Sequence, residues 1–492
     1  ALRSCGVPAA CINSVTALDD RRTIADQIRS GTLRLLYVAP ERLLTDRTLA
    51  FLRTVDVSFF AIDEAHCISS WGHAFRPEYR CLSALKEQFP NVDIHAYTAT
   101  ATEKVRTDIA QQLGLVDPQV LVGSFDRPNL VYTVQQRNNG LAQIASVLDR
   151  HRGESGIVYC ITRANVDRTC TVLNDLGYSA LPYHAGMLDD DRQRNQDAFI
   201  EERADTIVAT VAFGMGIDKS NVRYVVHAGM PKSLEAYQQE SGRAGRDGLE
   251  AECWLFYSGG DYGTWKRIIE QNEPDGCEGM LWSLNAMYNF CTGVECRHRA
   301  LVHYFAQSLE ESSCEACDVC LGKLDLVEEP LVVGQKILSC VLRVDERFGG
   351  DYVSMILSGS QEKRIVANGH DRLSTWGILA SENRRAIRDW IEQLVGQDFL
   401  CKTGEYNVLR VTDQGWRLLR GEITPRLMRP ATREARKAAT FTDSWEGVDR
   451  GLFDQLRDLR REKAVARQVP AYIVFSDAAL RDMARRRPST LE

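Results

Sequence analysis

Through the first half of the chain, short apolar runs alternate with longer polar stretches of amphipathic spacing. The runs are Leu33–Val38, Val57–Ile62, Ile94–Tyr97, Ile157–Tyr159, Ile207–Ala209, Tyr224–Val226 and Cys253–Tyr257. Helix-length segments such as Asp19–Ser30 and Ala164–Leu176 lie between them. Brief continuous apolar runs read as strands, and their alternation with helices predicts parallel sheets covered on both faces. The turn formers in Ser124-Phe125-Asp126-Arg127-Pro128-Asn129 mark a joint between two such sheets. After Tyr257 the pattern changes. Asp261 to about Leu321 reads as helices ending in cysteines. About Leu331 to Gly421 is helical, with two short β-like runs around Thr403-Gly404-Glu405. A polar, basic linker runs from Glu422 to about Glu446, and Leu452–Ala484 is helical again.

A chain of 492 residues exceeds one ordinary domain, so about three or four are expected. With 44% hydrophobic and 26% charged residues, the balance is that of a soluble globular protein. No window of about 18 apolar residues predicts a membrane span, so no membrane partner is expected. Ala1–Gly6 lacks the basic start and apolar core of a signal peptide. The 15 cysteines, from Cys5 to Cys401, therefore point to free thiols in a reducing compartment. The net charge of -7 does not advertise nucleic-acid binding, but the charge is uneven. From Gly421 onward there are 15 Lys+Arg against 11 Asp+Glu, or +4, leaving -11 for the rest. Both ends fall within apparent elements, and the expectation is a fragment.

Four motifs carry chemistry. Asp63-Glu64-Ala65-His66 follows an apolar run, at the strand end where parallel sheets bind ligands. Asp63 can hold Mg²⁺ through water, and Glu64 can polarise an attacking water. Four letters alone fit acidic capping of a helix equally well. Gln239-Glu240-Ser241-Gly242-Arg243-Ala244-Gly245-Arg246 sets two arginines three apart among glycines, able to approach a γ-phosphate. A solvated basic loop is the plainer reading. Thr98-Ala99-Thr100-Ala101 taken alone reads as a helix cap. Thr210–Asp218 is a strand running into a glycine loop that carries Gly216 and Asp218, and a tight turn is its alternative. Separately, Cys296 precedes Cys314-x-x-Cys317-x-x-Cys320. Four thiolates at this spacing suit a closed, structural Zn²⁺ site, with Cys291 as a competing first ligand.

The four motifs fall in the order of superfamily 2 helicase motifs II, III, V and VI. Ile68–Tyr79, directly after the acidic box, resembles the aromatic-rich loop of RecQ enzymes, with Ala74 where that family often has Asp. Cys296-Arg297 and the cysteines beyond resemble the RecQ zinc module. The chain thus resembles the RecQ family of ATP-dependent DNA helicases over essentially its whole length.

The resemblance implies an α/β protein. Two RecA-like parallel-sheet domains (1–122, the first truncated at its start, and 123–258) precede a helical zinc module (259–325). A winged helix (326–425), a linker (426–446) and a partial helical HRDC domain (447–492) follow. ATP would bind between the RecA-like domains. Asp63 would hold Mg²⁺, Glu64 would orient water, and Arg243 and Arg246 would clamp the γ-phosphate with Gln239 nearby. Gly216 and Asp218 would line the nucleotide, and His66 would link it to DNA. Trp71 and Phe75 would stack on bases, Arg76 would meet a phosphate, and Thr210 would touch DNA. In the winged helix, Ser381 is the expected cap of a helix offering Arg384, Arg385 and Arg388 to duplex phosphates, or simply a solvated face. The implied activity is 3′-to-5′ unwinding of duplex DNA in recombination, repair and the SOS response, with single-stranded DNA and duplex junctions as partners. A single-strand-binding protein would touch the winged helix, and the setting would be the cytoplasm and nucleoid of a bacterium.

One part is missing from the sequence. Such an ATPase needs a glycine loop ending in Gly-Lys-Ser/Thr, and the one Gly-Lys pair is Gly322-Lys323, followed by Leu324. In RecQ proteins that loop lies upstream of the region matched by Ala1. The expectation is a first sheet with exposed apolar edges and little ATP turnover by this chain alone. Two rivals stand beside this reading: a non-hydrolysing zinc and winged-helix DNA-binding factor, and a DEAD-box RNA helicase.

Overall fold

The computed structural model describes residues 6–12, 16–69, 76–214, 219–272, 277–310, 313–322, 326–404, 407–429, 445, 447–467 and 469–488. In the first region, strands β1 (Ala9–Ile12) and β2 (Leu35–Val38) form one parallel pair, and β3 (Phe59–Ile62) and β4 (Asp93–Ala96) form another. The expected single sheet is therefore divided. Among the described residues each of these strands has one neighbour, so Tyr37 and Phe59, and Tyr97 just past β4, keep about half of their surface in solvent. Ile62, Leu82, Leu85, Val105 and Ile109 form the core beneath the β3–β4 pair.

The second region closes properly. Strands β5 (Leu130–Gln136), β6 (Ser155–Tyr159), β7 (Ala180–Tyr183), β8 (Thr206–Ala209), β9 (Val222–His227) and β10 (Ala251–Tyr257) make a six-stranded parallel sheet in the order β5-β10-β9-β6-β8-β7. Helices Gly140–Arg150, Arg163–Asp175, Asp189–Ile200 and Leu234–Ser241 connect them. Every residue of β6, β8 and β9 is buried, which is why the apolar runs Ile157–Tyr159, Ile207–Ala209 and Tyr224–Val226 lie at their centres or ends. β7 carries Pro182 and lies at the sheet edge, where a missing N–H does little harm. Separate cores cover the two faces, and one continues into the next helices through Leu284, Met287 and Phe290.

Those helices are Gly259–Asn272, Cys277–Thr292 and Arg297–Tyr304. Then come Pro330–Arg343, Gly350–Leu357, Lys363–Ala367 and Arg384–Gly396, followed by the antiparallel hairpin β11 (Leu400–Thr403) and β12 (Val408–Val411) and helix Asp413–Leu419. This is the helix-and-wing order expected, around Ile337, Val353, Ile387, Trp390 and Leu409. Two local expectations need correction. Asn383, not Ser381, caps the Arg384–Gly396 helix, its side chain accepting from the Arg385 amide at 2.9 Å. The helix also turns most of its length inward. Arg388 meets Asp351 at 3.6 Å and Glu392 at 3.2 Å, and Asp389 accepts from Gln136 of β5 at 2.9 Å. Burying Ile387, Trp390, Ile391 and Leu394 takes this face out of solvent and leaves only Arg384 and Arg385 exposed at its start.

The last helices, Arg450–Arg467, Ala471–Val474 and Asp477–Arg486, share a small core of Phe453, Leu480 and Ala484. Among the described residues, no helix is long and apolar enough to cross a membrane.

Gly156 sits where a Cβ would lie 2.0 Å from the buried Tyr224 ring, whose hydroxyl is tied to Thr206 at 2.6 Å. Gly156→Ala is expected to cost about 2–3 kcal/mol in urea unfolding. Gly279→Ala, in a helix with open space around it, should be neutral or slightly stabilising.

Candidate functional site

Parallel strands deliver their C-terminal ends to one side of a sheet. Asp63 and Glu64 directly follow β3, and Thr98 stands two residues past β4. The two ends are sewn together, because the Ala65 amide donates to the Tyr97 carbonyl at 2.9 Å and the Tyr97 amide to that of Ile62 at 2.8 Å. Glu64 adopts φ +52°, a left-handed conformation that a non-glycine residue holds only under local constraint. Its own amide is held by Asp63 Oδ1 at 2.8 Å.

His66 is 2% exposed. Its Nδ1 lies 3.0 Å from Thr98 Oγ1 and 3.3 Å from Glu64 Oε2, so one imidazole bridges the acidic box and the next strand's end. Burial, then the positive charges of Arg76 and Lys232, push its pKa down to about 4. Burial, then the neighbouring Asp63, push that of Glu64 up, and Arg243 and Arg76 oppose the rise. A raised carboxylate beside a neutral imidazole suits a group that must accept a proton or orient water.

The second region supplies the other half. Helix Leu234–Ser241 is capped by Ser233, whose hydroxyl accepts from the Ala236 amide at 3.2 Å. At its far end Gln239 Nε2 donates to Glu64 Oε2 at 3.5 Å, across the two regions. Arg243 follows on a loop that passes close to Gly214, where a Cβ would lie 2.7 Å from the guanidinium. Arg246 lies on the same loop and is exposed.

The structure thus brings together Asp63, Glu64, His66, Arg76, Gln239 and Arg243. Arg76 acts electrostatically on the acidic box. Thr210 directly follows β8, half-buried, with its carbonyl accepting from the Phe213 amide at 3.0 Å. Trp71, Phe75, Gly216 and Asp218 lie outside the described residues. Sequence reasoning missed Lys232 and Arg127. Neither belongs to a motif, and only Arg127's place in the polar joint hinted at a task.

The cysteine centre is separate. The sulfurs of Cys296, Cys314, Cys317 and Cys320 lie within 4.8 Å of one another. Bonds of about 2.3 Å to a tetrahedral zinc would set them roughly 3.8 Å apart, so the group fits. Cys291 is fully buried and is not one of these four. Two amides point at the sulfurs, Ala316 to Cys314 and Cys320 to Cys317, both at 3.4 Å.

A carboxylate pair at the end of one parallel sheet, facing an arginine loop on a second, defines a two-domain nucleotide-driven motor of the helicase class. Comparison with known proteins narrows this. Family models match in series: "DEAD/DEAH box helicase" over residues 3–108, "Helicase conserved C-terminal domain" over 139–248, "RecQ zinc-binding" over 259–321, "RQC domain" over 331–437 and "HRDC domain" over 449–492. The ATP-dependent DNA helicase RecQ of Pasteurella multocida is 39% identical over 490 residues, covering 99% of this chain and 77% of its own. The protein of the same name from Bacillus subtilis is 38% identical, covering 99% of this chain and 81% of its own. The chain belongs to the RecQ family of ATP-dependent DNA helicases.

Two outcomes follow. His66 has a folded pKa near 4, below its ordinary 6.5. Unfolded chain therefore binds a proton over this range that folded chain refuses. Its contribution to stability is full above pH 6.5 and falls as pH drops toward 4, by about 3 kcal/mol in all. Raised Glu64 acts in the opposite sense, so the readout is the difference between wild type and His66→Gln, which should shrink by this amount across the window. For the cysteine centre, metal analysis should find one zinc per chain. Cys317→Ser should lose it and open the segment around residues 313–322 to protease.

Proposed function

We propose that the protein to which this chain belongs hydrolyses ATP between its two RecA-like domains and uses the energy to unwind duplex DNA from 3′ to 5′. The observation that carries this reading is the meeting of Glu64 and Gln239 across the domains, with Arg243 close enough to affect the Glu64 carboxyl. In this reading Asp63 holds Mg²⁺ and Glu64 orients the attacking water. Arg243 and Arg246 neutralise charge developing on the γ-phosphate, with Gln239 beside them. Gly216 and Asp218 line the nucleotide. His66, held to Thr98, passes the state of the site toward the DNA path, where Trp71 and Phe75 stack on bases and Arg76 and Thr210 meet the backbone.

Cys296, Cys314, Cys317 and Cys320 hold zinc in a structural role. The domain limits are those expected above, with Arg384 and Arg385 as the part of the winged helix left open to DNA or to a single-strand-binding protein. The setting is recombination and repair on the bacterial nucleoid. The intact carboxylate and arginine halves weigh against a non-hydrolysing factor, because a protein that only binds DNA has no use for either.

This chain contains no Gly-Lys-Ser/Thr loop. It is expected to bind single-stranded DNA yet to show no ATP turnover above background when its zinc is in place. In the full-length gene product, turnover should be DNA-stimulated, and Arg243→Ala should lower it by about 10³-fold or more. DNA binding without turnover by the full-length product would favour the non-hydrolysing reading. Turnover by the chain alone would mean that other residues grip the phosphates.

A further inference from the structure

The loop that carries Arg243 and Arg246 is neither helix nor strand, so its carbonyls need donors from elsewhere. One side chain supplies most of them. Arg127 Nη1 donates to the Gly242 carbonyl at 3.3 Å, and Nη2 donates to those of Ala244 and Gly245, both at 3.1 Å. Asn129 Nδ2 adds bonds to the carbonyls of Gly245 at 2.8 Å and Leu249 at 2.9 Å. Gly245 is left-handed, at φ +58°, and a Cβ there would lie 2.5 Å from the Asn129 amide nitrogen. The loop is thus drawn tightly onto Arg127 and Asn129, and Arg243 lies between two carbonyls that the same guanidinium holds.

Arg127 belongs to the joint between the domains, and that joint is itself fixed on the second domain's side. Phe125 stacks on Phe305 of the zinc module, centroids 4.2 Å apart and planes 8° from parallel. Asp126 Oδ1 meets His298 Nδ1 at 2.7 Å. Gln307 accepts from the Phe125 amide at 3.0 Å and donates to the Gly123 carbonyl at 2.8 Å. Gln238, on the helix before the arginine loop, donates to the Phe125 carbonyl at 3.1 Å. Immediately upstream, residues 116–122 carry no regular structure, and Val116, Val120 and Leu121 are 89%, 60% and 83% exposed. The place where the chain can pivot therefore lies before Gly123. Ser124–Asn129 travels with the second domain.

Resting on the reading that Arg243 clamps the γ-phosphate, we infer that Arg127 is a positioning residue for ATP hydrolysis. Its guanidinium binds loop backbone, not substrate, and keeps Arg243 aimed at the cleft in advance. The chemistry needs this, because a donor held in place before the transition state forms costs no reorganisation when it does. The zinc module supports the same residue from behind, through Asp126 and Phe125.

The test uses the full-length gene product with its zinc content verified, comparing Arg127→Ala, Arg127→Lys and Arg243→Ala. ATP turnover on single-stranded DNA gives kcat and KM, and thermal melting reports integrity. Arg127→Ala should lower kcat by about ten- to a hundredfold, the scale of a displaced catalytic group. KM for ATP and the melting midpoint should stay close to wild type. Arg127→Lys should recover part of kcat, because an ammonium can hold some of the three carbonyls. Wild-type kcat in Arg127→Ala overturns the inference. So does a loss in which melting and KM fail along with kcat and lysine restores nothing. Should Arg127→Ala not fold, Arg127→Lys decides: a lowered kcat at unchanged KM supports the role, and wild-type kcat overturns it. If Arg243→Ala keeps full kcat, the reading of the arginine loop fails on its own, whatever Arg127 does.

Discussion

The pair Arg297–Asp318 fixes the second half of the molecule to its sheet. Both side chains are about 2% exposed or less, and the guanidinium meets the carboxylate at 2.9 and 3.2 Å. Two charges so deeply buried hold only when every remaining donor and acceptor finds a partner. Here they do. Arg297 Nη1 donates to the Phe290 and Gly293 carbonyls, and Asp318 accepts from the amides of Val134 and Val319. Val134 is in β5, so the pair joins the helix end, the cysteine turn and the edge of the parallel sheet. The backbone does the same nearby: the Tyr132 amide donates to the Ala316 carbonyl, and the Asp318 amide donates to that of Tyr132. The cysteine turn thus covers the β5 edge, which would otherwise stand open to pairing. Zinc in this position would shape a turn on which a sheet edge rests, while the helix that Arg297 opens carries the interdomain joint through His298 and Phe305 and, by way of Arg127, the arginine loop.

The two α/β regions show what strand neighbours are worth. β6, β8 and β9 each have a strand on both sides and are buried from end to end. β3 and β4 have one partner each, and their residues alternate between exposed and covered. Yet the C-terminal end of β3 is held by short-range means. Asp63 holds the Glu64 amide, the Tyr97 carbonyl holds Ala65, and His66 reaches Thr98. The acidic box depends on the β3–β4 pair and not on the rest of a sheet. This is how a region with exposed edges still presents a carboxylate to Gln239 across the cleft.

What could be read from the sequence follows the same physics. Strands buried on both faces announced themselves as apolar runs, and the cysteine spacing described a turn that needs nothing from afar. β1, β5 and β7 escaped notice. β5 is Leu-Val-Tyr-Thr-Val-Gln-Gln, polar at its end because Gln136 reaches Asp389 of the winged helix, and β7 carries Pro182 because it is an edge. Arg388 of the Arg384–Gly396 helix was misjudged for a related reason. Charge in a sequence suggests solvent, but Arg388 finds Asp351 and Glu392, which only the fold brings near. Arg127 was visible as a letter in a turn-rich joint. Its partners are carbonyls more than a hundred residues away, and backbone carbonyls leave no mark in a sequence.

The basic excess at the C-terminus makes the same point about charge. From Gly421 onward the count favours Lys and Arg by four, which suggests a surface for nucleic acid. Several of those arginines are already spent within the molecule. Arg460, 1% exposed at its side chain, binds Glu202 of the second domain at 3.1 Å and Asp477 at 2.7 Å. Arg461 meets Glu202 at 3.2 Å, and Arg457 donates to the Gly153 carbonyl at 2.7 Å. Arg481 lies 4.1 Å from the centre of the Trp445 ring. Glu202 is crowded enough that, against the cost of burial, Lys219 and Arg460 hold its carboxyl down to about 2. A side chain committed to a buried carboxylate must give up that partner before it can meet a phosphate, and removing one member of such a pair costs several kcal/mol, roughly 3–5. These four arginines therefore hold the last helices together and onto the second domain, and phosphate-binding charge has to be sought among the segment's other basic residues.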